Sequence, residues 1–177
     1  GRLAEHTGMS KSGLYAHFGS KEELQLATID AASEIFVHEV IEPARAAEGA
    51  ARLDALSDAF LSYLARKVFP GGCFFAAAQA ELDTHPGPVR EKLREASGRW
   101  LAYVERQVRG AQDMGELRAD EDPAQLAFEI DAMLILVLAL LVWQGGRVGP
   151  WVLAIGLMRY AFVLASWYFP ALGGSLP

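Results

Sequence analysis

The chain has 177 residues, 52% of them hydrophobic, which suffices for one sizeable core or for a small domain joined to a larger one. A net charge of −6 and a pI near 5.2 exclude a protein that coats nucleic acid non-specifically, yet leave room for a local basic face. The single cysteine, Cys73, excludes an intramolecular disulfide and suits a reducing compartment, and no secretory signal opens the chain.

Arg2 to Thr7 reads as a short helix, and Gly8 supplies a left-handed turn. Ser10 is a suitable N-cap for a second helix. Leu14 and Phe18 fall on one inward face of it, and Gly19 stops it after about two turns. The pattern is helix, turn, helix. The other face carries Lys11, Ser12, Tyr15 and His17, hydrogen-bonding groups on a helix narrow enough for a major groove. Ser20 and Glu23 form a capping box for the next helix, with Lys21 in its first turn. Residues 1–21 hold Arg2, Lys11 and Lys21 against Glu5 alone, a positive surplus in an acidic chain.

That third helix is predicted from Lys21 to about Ile41, where Pro43 ends or kinks it. After an alanine-rich link, Leu53, Leu56, Phe60, Leu64 and Val68 recur at helical spacing up to the break at Pro70–Gly72. Cys73–Leu82 reads as a short apolar helix. A longer amphipathic one follows the Pro86–Gly87–Pro88 turn and closes near Gly115. Asp122 as N-cap and Pro123 at the first helical position begin the next. No run with β period appears, and the fold class expected is all-α. The four histidines lack metal-ligand spacing, and no nucleophile elbow, phosphate loop or paired-cysteine site is present. No enzyme chemistry, metal or cofactor is called for. Cys73 has no cationic neighbour in sequence and reads as core.

The run GMSKSGLYAHFGSK resembles the DNA-binding domain of TetR-family transcriptional regulators, through Met9, the Leu14–Tyr15 pair, Phe18 and Ser20–Glu22. The resemblance implies that Lys11, Ser12 and Gly13 face base edges, Gly13 by backbone approach alone, while Tyr15, His17 and Lys21 hold phosphates. In that family a further helix precedes the pair. With it absent the chain reads as one lacking the family's first helix, and Leu3, Leu14, Phe18 and Leu24 lose cover worth about 1.5–3 kcal/mol each. Gly71 to Met133, through GGCFFAAAQAELD, HPGPVR and GELRADEDPAQLAFEIDAML, is similar to the ligand-binding domain of one TetR subgroup. It implies a pocket for a small, mostly apolar effector and a homodimer. Phe60, Tyr63, Phe74, Phe75, Gln79, Trp100 and Tyr103 are the pocket candidates, against the plainer reading of aromatics at helical spacing as core. Gln79 stands out among them, since a buried amide needs partners and a ligand is one way to supply them. The implied units are a helix-turn-helix domain over 1–45, an effector domain over 46–132 and an apolar helical tail over 133–177.

The tail stands apart. Ala132–Trp143 is wholly apolar, and Val148–Phe169 nearly so apart from Arg159 and Ser166. The second run is long enough to span a bilayer, about 33 Å as a helix. From about residue 127 the sequence is similar to the membrane-embedded part of CDP-alcohol phosphatidyltransferases. Only the end of their aspartate motif has a counterpart, Asp131, with Ala127 where an earlier aspartate belongs, so the metal chemistry of that family is not implied. Two readings stand: a regulator whose last helices form a buried dimer face, or a chimera joined near residue 130 whose tail inserts in a membrane. The mechanism implied is that of a cytoplasmic repressor on operator DNA, released by an effector.

Overall fold

The structure, a computed structural model, describes Gly8 and residues 10–143, with Lys11, Leu14, Tyr15 and residues 140–143 described by their backbone alone. Six α-helices follow one another: α1 Lys11–Phe18, α2 Lys21–Phe36, α3 Gly49–Ala65, α4 Phe74–Leu82, α5 Pro88–Asp113 and α6 Pro123–Trp143. No strand occurs among the described residues, only an isolated bridge between Phe69 and Gly72. The expected all-α class holds.

Helix starts follow local chemistry. Ser10 Oγ accepts from Gly13 N at 2.9 Å, Ser20 Oγ from Glu23 N at 3.0 Å, and Asp122 Oδ1 from Ala124 N at 2.9 Å. Each satisfies an amide that the first turn leaves without a partner. Gly8 and Gly19, at φ +65 and +76, bracket α1 in the left-handed conformation that glycine takes without strain.

The long third helix does not run on to Ile41 as one α-helix. It ends at Phe36, and Val37–Ile41 winds as a π-helix before a 3-10 turn over Glu42–Ala44. Pro43 is the cause: it has no N–H for the helical ladder, and its ring would press on the carbonyl four residues back. Widening the turn, with Glu42 N bonded to Val37 O, accommodates it. Val40 becomes fully buried while Val37 and His38 face solvent.

The core forms where α2, α3, α5 and α6 meet. Val40, Phe60, Tyr63, Leu64, Cys73, Leu134 and Leu138 make its larger part, and Val104, Val108 and Ala127 seal the α5–α6 seam. Polar ties fix the ends. Lys92 Nζ meets Asp30 Oδ2 at 2.6 Å, joining α5 to α2, and Arg66 pairs with Glu39 across the π segment. Arg52 donates to the carbonyls of Ala47 and Arg45 and to Gln107 Oε1, lacing the link before α3 onto α5.

The start of α3 depends on a residue far along the chain. Glu116 Oε2, in the turn after α5, accepts from Ala50 N at 2.6 Å, and a Cβ on Gly49 would lie 2.0 Å from that same oxygen. Gly49 also has φ +55. Gly49→Ala therefore brings backbone strain and expels the carboxylate from the helix N-terminus, at about 1–3 kcal/mol. Chemical denaturation should show that loss, and in a Glu116→Ala background a smaller one that retains the backbone strain alone.

Candidate functional site

Two groups of predicted residues lie in two parts of the structure. At the N-terminal end, α1 packs on α2. Ser12 and His17 are exposed on α1, and Lys21 is exposed at the start of α2. The His17 ring meets Phe18 edge-on at 4.7 Å. Gly13 is half-buried, and a Cβ there would sit 3.1 Å from Ser10 Oγ, so glycine leaves room for the cap that starts the helix. The side chains of Lys11 and Tyr15 lie outside the described residues.

The second group is an aromatic cluster in the helical domain. Its centre is Phe36, the last residue of α2. Its ring lies 5.2 Å from Trp100, 5.8 Å from Tyr63 and from Phe75, and 6.3 Å from Phe60, all edge-to-face. Phe69 bridges Tyr63 to Phe74, and Tyr103 stacks on Trp100 at 6.2 Å. Edge-to-face pairing sets the positive rim of one ring on the negative face of the next, adding to the burial of apolar area. Helices α2, α3, α4 and α5 each contribute at least one ring, and six of the seven predicted pocket residues are brought together here.

Gln79 is the exception. It is exposed and donates to Ser97 Oγ rather than standing buried without a partner. The physical reason is that α4 buries none of its residues fully: it lies on the outside of the core, and its far end remains in solvent.

Besides Tyr63, the structure brings to the cluster two polar members that the sequence pattern did not place there, Asp131 and Cys73. Trp100 Nε1 donates to Asp131 Oδ1 at 2.8 Å. Asp131 is half-buried on α6, and burial pushes its carboxyl up from the ordinary range, against the lowering effect of the indole bond. Tyr63 is fully buried, and the Phe74 amide and the Cys73 thiol approach its hydroxyl without reaching full hydrogen-bond geometry. Burial drives the phenol well upward, and the Cys73 thiol beside it pushes in the same direction. Cys73 is itself buried, its thiol raised by desolvation, so it is no reactive thiolate. Phe36 had been visible only as one apolar position of a helix. The available signal for Asp131 was the last acid of the most apolar helix of the described chain, two residues after Glu129. An open groove lined by Ser33, Glu34, Val37, His38 and Glu42 lies outside α2 and shares no residue with the cluster.

Because the folded state raises the Asp131 pKa, the folded protein holds that proton more tightly than the unfolded chain, and stability falls as pH rises through the interval between the two values. Asp131→Asn keeps an acceptor for Trp100 and removes the titration. The melting temperature of the variant relative to the unsubstituted protein should therefore rise as pH is raised from about 4, then level off above the Asp131 pKa. A difference that stays flat with pH contradicts the burial of this acid.

Comparisons with known proteins agree with this arrangement. Residues 1–28 match the family of bacterial regulatory proteins of the tetR type, and residues 49–145, more than half of the chain, match the tetracyclin repressor-like C-terminal domain. That second match carries through Ala132–Trp143, past the change of family expected near residue 130, so the first apolar run reads as the regulator's own helix. No helix of the described residues is long and apolar enough to cross a membrane, and Val148–Phe169 lies outside them. A solved structure, "Crystal structure of AibR in complex with isovaleryl coenzyme A and operator DNA", has the same fold: TM-score 0.64 at 22% identity, covering 78% of this chain and 73% of that one. No curated protein matches by sequence. The chain belongs to the TetR family, and it is a DNA-binding transcriptional regulator rather than an enzyme.

Proposed function

We propose that this regulator is a ligand-responsive repressor, working as a homodimer on operator DNA in the cytoplasm, in which an effector in the helical domain changes the setting of α1. Lys11, Ser12 and the Gly13 backbone read base edges, while Tyr15, His17 and Lys21 hold phosphates. The aromatic cluster receives the effector, with Phe60, Tyr63, Phe74, Phe75, Trp100 and Tyr103 about it. Gln79 is left at its rim.

The single observation that carries this reading is the double role of α2. One end packs on α1, and the other ends in Phe36, whose ring is held by the cluster. A ligand that displaces Trp100 or Phe75 must move Phe36, and α2 transmits that movement to α1. Such a ligand favours the conformation it binds better, and the dimer then presents recognition helices that no longer match successive major grooves about 34–36 Å apart. That AibR was solved with both an acyl-coenzyme A and operator DNA supports a fold able to hold both partners. The domains proposed are 1–45 for DNA, 46–132 for effector and 133–177 as the apolar region that pairs two copies. The exposed Met133, Ile135 and Leu136 of α6 support the last assignment.

The roles on α1 and α2 separate in a salt titration on duplexes selected from a random pool. Lys21→Ala should weaken binding to selected and random duplexes alike and reduce the slope of log affinity against log salt by about 0.9. Lys11→Ala should cost discrimination at particular base pairs, on the order of 1–3 kcal/mol, with less effect on random DNA. Equal effects of both substitutions on both kinds of DNA would remove the division of roles.

A further inference from the structure

The polar groups deepest in the aromatic cluster are all acids, strong or weak. Tyr63 is fully buried, with only the Phe74 amide and the Cys73 thiol near its hydroxyl and neither in full hydrogen-bond geometry, and Asp131 is close enough to act on the Cys73 thiol. Glu39 adds to the negative field at Tyr63, but Glu39 is itself held by Arg66 and His38. Asp131 has no such cation among the described residues: its hydrogen bond is to a neutral indole. Around these groups stand the rings of Phe36, Phe75 and Trp100. Phe75, Trp100 and Asp131 keep partial exposure, so this side of the cluster borders solvent, with Tyr63 buried behind it.

We propose that the effector is a lipophilic cation, an amine or ammonium on an apolar body, whose charge lies between the Asp131 carboxylate and the aromatic rings and whose polar end reaches the Tyr63 hydroxyl. This rests on the cluster being the effector site. A neutral apolar ligand would leave a half-buried carboxyl without a counter-charge and a buried hydroxyl with only weak partners, both costly. An anion would meet Asp131 and the field of Glu39. A cation is drawn both by the carboxylate and by the negative faces of the rings, and desolvation strengthens both attractions. The upward push on the Asp131 carboxyl, which a bound cation would reverse, points the same way.

Three soluble probes of nearly one shape test it: 3-phenylpropylammonium, 3-phenylpropanol and 3-phenylpropanoate, each titrated at neutral pH while the indole N–H resonance of Trp100 is followed by NMR. The expected order is ammonium about tenfold tighter than alcohol, with the carboxylate weakest. In Asp131→Asn, which keeps an acceptor for Trp100, ammonium and alcohol should come within about twofold of each other. The charge series on the unsubstituted protein needs no variant, so it stands even if the substitution unfolds the chain. Alcohol or carboxylate binding as tightly as ammonium overturns the cationic effector while leaving the cluster as a binding site. If none of the three moves the Trp100 resonance in the folded protein, the cluster is core, and both the proposal and the reading beneath it fall.

Discussion

The packing of one ring holds the architecture together. Phe36 closes α2 and inserts among Phe60, Tyr63, Phe75 and Trp100, so the helix that carries the DNA-binding end is anchored in the domain that carries the aromatic cluster. Directly after it Pro43 forces the chain to widen into the π-helical Val37–Ile41, which turns Val40 into the core. The Lys92–Asp30 pair and the Arg66–Glu39 pair hold α2 and the π segment from either side. Being partly exposed, both ion pairs are screened by water and contribute little, so the ring packing dominates. An element fixed mainly by interlocked rings has discrete alternative arrangements rather than a continuum, which suits a switch.

Helix order was legible from the sequence because helix starts are local events. Ser10, Ser20 and the Asp122–Pro123 pair each act within three residues, and the structure places a cap at every one. What escaped sequence reading depends on distant partners. Gly49 begins α3 because Glu116 reaches its first turn from 66 residues away in the chain. Gln79 has helical spacing compatible with an inward face, but whether α4 sits inside or outside the bundle is a tertiary fact, and it sits outside. Asp131 looked like the remnant of another family's metal motif. Its meaning comes from Trp100, a residue on a different helix that spacing along α6 does not reveal.

The candidate site divides along the same line. The family motif on α1 and at the start of α2 was legible because it is one short continuous stretch. In the helical domain the rings were legible as a set, since aromatic residues at helical spacing must meet somewhere, but their centre was not. Phe36 lies on the helix assigned to DNA binding, and the cluster forms only when α2 folds against α3, α4 and α5. The polar floor of Tyr63, Cys73 and Asp131 required the fold, because its members come from α3, the residue before α4 and α6, and no spacing along the chain brings them together.

The central claim, that Phe36 joins the two functional ends of the molecule, is tested most directly by amide hydrogen exchange followed by mass spectrometry on the unsubstituted protein and Phe36→Ala. The account predicts that peptides of α2 and of the Trp100 region of α5 lose protection together, and by similar amounts, when the ring is removed. Loss confined to the residues flanking position 36, with α5 and the rest of α2 unchanged, would contradict it.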